Sequence, residues 1–185
     1  MPKCIKKLFF ASLFFFLLIL GFNSVSLAQT NKTPGWHTGL YYGLLIPSTI
    51  PAIGESLPLY GVRLSKGVRG FRFEASFFNG SNTEEFGNEV EINQFALALK
   101  NTYHFSDIED FNMVILTGLQ YNSYESSVLG SFTGNGFHIG FGLEHKLVSG
   151  FWLRNDYLYS NGPGKYLMIT LGLQYTFDTK KENSN

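Results

Sequence analysis

The chain has 185 residues, with 14 Lys+Arg balanced by 14 Asp+Glu. That length suits one domain, and without the three lysines of its first 28 residues it carries 11 basic against 14 acidic residues, a net charge of −3. This excludes a nucleic-acid footprint, which needs a basic face. Cys4 is the single cysteine, so no disulfide framework and no cysteine metal site is available. Aromatic residues make up 17% of the chain, there are 20 glycines, and charged residues reach only 15%, so the excess apolar surface needs a core or a lipid phase.

Residues 1–28 read as a secretory signal. Lys3, Lys6 and Lys7 give a positive start, an apolar run follows from Leu8 to Phe22, and Ser26 and Ala28 have small-x-small spacing before a cleavage site. The run is shorter than the ~20 residues a spanning helix requires. The segment is therefore left out of the fold, and the domain is expected over residues 29–177. A polar tail, 178–185, follows it, disordered by composition and lying in the periplasm.

After Gln29 the apolar residues recur with period two, the strand signal. Trp36, Leu40, Tyr42, Leu44 and Ile46 mark the first strand, and Tyr60, Val62 and Leu64 the second. In the third, Phe71, Phe73, Ala75 and Phe77 oppose Arg72, Glu74, Ser76 and Phe78. In the fourth, Phe95, Leu97, Leu99, Tyr103 and Phe105 oppose Ala96, Ala98, Lys100, Thr102 and His104. Met113, Ile115, Leu119 and Tyr121 mark the fifth. In the sixth, Phe137, Ile139, Phe141, Leu143 and Leu147 oppose His138, Gly140, Gly142, Glu144 and Lys146. Phe151, Leu153, Tyr157 and Tyr159 mark the seventh. The last, Lys165–Phe177, is the clearest, with six apolar residues on one face and Met168, Thr170, Gly172, Gln174 and Thr176 on the other.

Eight alternating strands close either as a soluble barrel, apolar inside, or as a membrane barrel, apolar outside. The interior of an eight-stranded barrel is just wide enough for side chains to fill it. The bulky Leu, Phe and Tyr face is therefore expected to meet lipid, and the small and polar face to line the lumen. The expected fold is all-β: a single antiparallel up-and-down transmembrane β-barrel of eight strands. Gly35-Trp36 resembles the start of the lipocalins, soluble eight-stranded barrels, and a soluble lipocalin-like binder is the alternative that the inverted pattern opposes.

Long connections are expected at 47–56, 79–90 and 122–135, with a brief fourth at 160–164. Short turns are expected at 66–70, 106–110 and 148–150. Longer outer loops and short periplasmic turns are the outer-membrane arrangement. Aromatic residues near both strand ends fit interfacial girdles.

The final strand resembles the C-terminal assembly signal of outer-membrane barrels, carried here by Thr170, Gly172, Tyr175 and Phe177 within TLGLQYTF. The resemblance implies recognition by the barrel-assembly machinery. The sequence departs from that pattern in that DTKKENSN follows the terminal Phe. Over residues 29–177 the chain resembles the small outer-membrane barrels typified by the transmembrane domain of outer membrane protein A. The likeness lies in strand count, face pattern and terminal strand, and it implies a bacterial outer-membrane location reached through the periplasm.

Eight ionisable residues fall on the expected lumen face: Arg63, Arg72, Glu74, Lys100, Glu144, Lys146, Arg154 and Asp156. An unpartnered buried charge is costly, so ion pairs across the lumen are expected, in the groups Arg63/Arg72/Glu74/Lys100 and Glu144/Lys146/Arg154/Asp156. In the resembled barrels similar pairs plug the lumen and have been regarded as gates. Of His37, His104, His138 and His145, none has a nearby serine in a recognisable pattern, so no catalytic residue and no enzyme is expected. A lipid A-modifying enzyme is kept as a contrasting class. No two histidines have ligand spacing. Glu84, Glu85, Glu89 and Glu91 read as solvated loop charge, and neither metal nor cofactor is expected. The leading expectation is a monomeric structural or surface-interaction barrel with a charged, largely plugged lumen and lipid as its surroundings; a narrow ion or small-solute channel is the second class. The sequence names no surface ligand.

Overall fold

The structure, a computed structural model, describes residues 35–50, 56–68, 71–83, 87–104 and 110–177. The expected signal segment, Phe105, Glu84, Glu85 and the tail 178–185 lie outside the described residues.

Eight antiparallel strands pair in sequence order and close into a barrel: β1 Trp36–Pro47, β2 Leu57–Val68, β3 Phe71–Thr83, β4 Glu89–His104, β5 Phe111–Ser126, β6 Gly130–Val148, β7 Phe151–Asn161 and β8 Lys165–Phe177. Closure is made by β1 and β8, in continuous register from Trp36↔Phe177 to Pro47↔Tyr166. Every strand thus has a partner on both sides, which satisfies its backbone N–H and C=O groups without water.

The period-two alternation does what it predicts. Leu40, Tyr60, Phe73, Leu97, Leu119 and Leu171 all point outward and are exposed, Leu40 and Leu119 by 71% and 72%. In a soluble barrel such side chains would face inward, so the outer surface is an apolar band and the lipocalin-like alternative falls. The shorter strands, β7 with 11 residues and β1 with 12, match the span a tilted strand needs to cross a membrane.

At one mouth lie the 149–150 turn, the ends of β2, β4 and β8 and the starts of β1, β3 and β5. At the opposite mouth the connections differ from the expected long loops. Much of 79–90 and nearly all of 122–135 is strand: β3 and β4 stay paired to Thr83↔Glu89, and β5 and β6 to Ser126↔Gly130. The β5–β6 turn is tight. The Ser126 hydroxyl oxygen accepts from the N–H groups of Val128 and Leu129 at 3.3 and 3.1 Å, and Gly130 closes the turn with φ +77°, a left-handed conformation that glycine adopts without steric cost. The polar and glycine-rich composition that signalled loop is therefore spent on a hairpin. The neighbouring strands end sooner. β2–β3 pairing reaches only Tyr60↔Asn79 and β6–β7 pairing only Phe137↔Asn161, so β3 to β6 rise past β2 and β7 as a projecting sheet.

Candidate functional site

The lumen is lined by the inward residues of all eight strands. Six of the eight expected charged residues meet there: Arg63, Glu74, Lys100, Glu144, Arg154 and Asp156 are each at most 4% exposed. Arg154 of β7 sits at the centre. Its Nη1 and Nη2 donate to the two Glu74 oxygens at 2.6 and 3.1 Å, a bidentate fork, and its Nε donates to Asp156 at 2.8 Å. Glu144 lies 3.8 Å away. Arg63 of β2 pairs with Asp156, approaches Glu74 at 3.6 Å and donates to Thr170 Oγ1 at 3.2 Å. Lys100 of β4 pairs with Glu144, which also accepts from Gln174 Nε2 at 2.9 Å. The two groups expected from sequence are thus joined into one network, because the inward rows of β2–β4 and β6–β7 face each other across a narrow bore.

Lys146 and Arg72 do not join it. Lys146 is at the rim, where the β6–β7 register shifts between Lys146 and Val148; its side chain is 43% exposed and pairs with Asp110 at 3.3 Å. It stands at the end of the regular β6–β7 register, at the open rim beyond the packed lumen. Arg72 stays on the lumen face, half-buried, and its Nη1 has no hydrogen-bond partner.

The expectation of a uniformly small, polar lumen is corrected. Tyr41, Leu45, Leu57, Leu59, Phe78 and Ile92 all point inward and are buried. Glycines across the strands make room for them. A Cβ on Gly172 would stand 2.3 Å from the Tyr41 ring, and one on Gly61 2.3 Å from the Phe78 ring. Both rings cover Arg63, whose guanidinium carbon is 4.2 Å from the Tyr41 centroid and 5.2 Å from that of Phe78. Large inward residues opposite glycine are the sequence signal that period-two reading passed over.

A second polar layer also escaped sequence reading. Gln94 Nε2 donates to Gln120 Oε1 at 3.0 Å and to Tyr166 OH at 2.8 Å; Gln120 Nε2 donates to Tyr166 OH at 2.9 Å and contacts Ser160 Oγ; Asn122 Nδ2 donates to Tyr166 OH at 3.3 Å. Between this layer and the ionic network is a cavity of about 10 Å³ beside Arg63, Gln94 and His138, room for about one water. His138 points inward, as its place on the lumen face implies, and is buried against Gly118.

Of the residues carrying the assembly signal, Thr170 and Gly172 face the lumen, where they contact Arg63 and Tyr41. Tyr175 and Phe177 face outward and stack edge-on with centroids 4.7 Å apart; Phe151 adds a tilted contact to Tyr175 at 4.8 Å. Among the described residues no group of three or more His, Cys, Asp or Glu could hold a metal ion.

A closed barrel of eight strands, apolar outside and charged within, has the fold of the small outer-membrane β-barrels. No protein-family model matches the sequence, and no curated protein matches it. Among solved structures, the fold is similar to that of neisserial surface protein A, with a TM-score of 0.65 at 11% identity over 77% of this chain and 97% of that one. It is also similar to Ail, the attachment invasion locus protein of Yersinia pestis, with a TM-score of 0.60 at 14% identity over 78% and 99%. The N-terminal β-barrel domain of Pseudomonas aeruginosa OprF gives 0.58 at 14% identity over 78% and 98%. Each is an outer-membrane barrel of similar size, and the likeness is one of fold.

Proposed function

We propose that this protein is a non-enzymatic, monomeric outer-membrane barrel whose lumen is closed by its own side chains and whose work is done at its outer surface. The observation that carries this reading is the packed bore. An ion-pair network, buried apolar side chains and an amide–tyrosine layer fill it, and the cavity beside Arg63 and Gln94 is about 10 Å³. A hydrated ion needs a continuous path, which such packing interrupts.

In this reading residues 1–28 export the chain, TLGLQYTF hands it to the barrel-assembly machinery, and the mouth holding the short turns faces the periplasm. The projecting sheet of β3 to β6 then stands outside the cell. It presents Glu89, Glu91 and Glu125, with Asn79 and Asn93 both donating to Glu91 at 3.0 Å. Surface attachment suits such a platform. The fold is shared with Ail, named for attachment and invasion and solved in complex with the heparin analogue sucrose octasulfate.

The test has two arms. Purified barrel in planar bilayers is expected to give no discrete conductance, and cells expressing a chain with 80–92 and 123–134 shortened to tight turns are expected to lose surface attachment while keeping a folded barrel. Steady channel openings in the unaltered protein would overturn the closed lumen; unaltered attachment would overturn the surface role.

One observation favours a second reading, a gated narrow conductance. Arg154 has three carboxylates within 4 Å, on Glu74, Asp156 and Glu144, so pairs can exchange without leaving a charge bare. Lys100→Ala or Glu144→Ala would then raise single-channel current, and identical traces for both variants and the parent would refute it.

A further inference from the structure

The lumen network is charge-balanced without Arg72. Arg63, Lys100 and Arg154 face Glu74, Glu144 and Asp156, three against three, each within ion-pair distance of a partner. Arg72 is on the same face, nearer the mouth that carries the short turns, and is in no ion pair among the described residues. Among the described residues it is the one lumen cation without a carboxylate partner.

Its neighbours are Lys100 directly opposite on β4, Glu74 two residues along β3, and a group of hydroxyls and an imidazole on β1, β2 and β8. His37 of β1 is the direct cross-strand neighbour of Ser65 on β2 and of Thr176 on β8. Such neighbours on one face have Cβ atoms about 4.5–5.5 Å apart. Ser65 pairs with Glu74, two residues along β3 from Arg72, so Arg72 is its diagonal neighbour. Directly opposite Arg72 on β2 is Gly67, which leaves the guanidinium space. Arg72 Nη1, Ser65 Oγ, Thr176 Oγ1 and His37 Nδ1 are all buried atoms without a hydrogen-bond partner. Orphaned buried polar atoms are uncommon in folded proteins and call for a reason. Ser65 is 2% exposed, the floor of the group, whereas His37, Arg72 and Thr176 are half-buried and open toward the mouth.

We propose that these four residues form a binding site for a small oxyanion, a carboxylate or phosphoryl group entering from that mouth. A guanidinium offers the planar paired donors that fit both groups. The two hydroxyls rotate to donate to the remaining oxygens, and the anion neutralises the charge the ionic network leaves over. The site borders the ion-pair network, with Ser65 opposite Glu74 and Arg72 opposite Lys100, and lies at the other end of the barrel from the projecting sheet. Its binding does not depend on whether the lumen conducts or the surface adheres.

The experiment is a titration of the isotope-labelled chain, folded in phospholipid nanodiscs, with sodium phosphate and separately with sodium acetate, at fixed ionic strength in a chloride background. Resonances of the Arg72 side chain and of the Ser65 and Thr176 amides are expected to shift and saturate, while those of Gln94 and Gln120 stay put. Stronger binding of phosphate assigns the site to phosphoryl groups, and stronger binding of acetate assigns it to carboxylates. Arg72→Gln is expected to weaken binding at least tenfold and Arg72→Lys to retain part of it. The double variant Ser65→Ala/Thr176→Val, which leaves the charge in place, is expected to weaken binding several-fold and serves if Arg72→Gln does not fold. Shifts that grow linearly without saturation, or equal affinity in the folded Arg72→Gln or double variant, would overturn the proposal.

Discussion

Breaking the Lys100–Glu144 pair from each side gives a sharp test of the lumen. Both side chains are almost fully enclosed, 1% and 4% exposed, and they pair across the bore between β4 and β6. Removing one partner of a buried pair costs about 3–5 kcal/mol, because the other charge stays buried and uncompensated. The two halves are not equivalent. If Lys100 becomes Met, Glu144 keeps the hydrogen bond from Gln174 at 2.9 Å and has Arg154 at 3.8 Å, so the loss belongs near the lower figure. If Glu144 becomes Gln, Lys100 keeps no carboxylate in ion-pair distance among the described residues, and the loss belongs near the upper figure. Replacing both, as Lys100→Met/Glu144→Leu, removes both charges and is expected to lie within about 2 kcal/mol of the parent, since apolar replacements of a whole buried pair are often neutral or better. The assay is reversible urea unfolding in lipid vesicles, followed by the fluorescence of Trp36 and Trp152. Single variants that each cost under about 1 kcal/mol, with losses that add in the double variant, would refute a desolvated pair and imply a hydrated lumen.

Further outcomes follow from the same geometry. The mature chain in SDS is expected to migrate differently before and after boiling, and identical mobility would argue against a closed barrel. Gly172→Ala is expected to destabilise by about 1–3 kcal/mol as an overpacking change, because its Cβ would stand 2.3 Å from the Tyr41 ring; Tyr41→Ala in the same chain should recover part of that loss, and no recovery would remove Tyr41 as the cause. Leu171→Arg, on the outward face at mid-strand and 53% exposed, is expected to cost about 2–4 kcal/mol in bilayers and little in stability if the surface met water.

How much of this was legible beforehand depends on the range of the interaction. The strands were readable because alternation is local: Leu167, Ile169, Leu171 and Leu173 alternate with Met168, Thr170, Gly172 and Gln174 whatever lies across the barrel. The outward direction of the bulky face followed too, because eight strands enclose a bore too narrow for every Phe and Leu. The expected long connections are different. Glycine, asparagine and serine around 122–135 signal turn by composition, yet pairing across the β5–β6 hairpin holds that stretch as strand to Ser126↔Gly130.

The sequence by itself determined the number of strands, the face each turns to lipid and the pool of charged residues inside, since all three rest on residues one or two positions apart. Only the tertiary structure decided which charges meet. Barrel closure fixes the register that puts Arg154 against Glu74 from 80 residues away, and the position of Lys146 at the rim pairs it with Asp110 instead. It also decided that the lumen holds Tyr41 and Phe78, because the space for a ring is made by glycines on a neighbouring strand, Gly172 and Gly61. Arg72 is left over for the same reason: a charge is paired or unpaired according to what stands across the bore, and no local pattern records that.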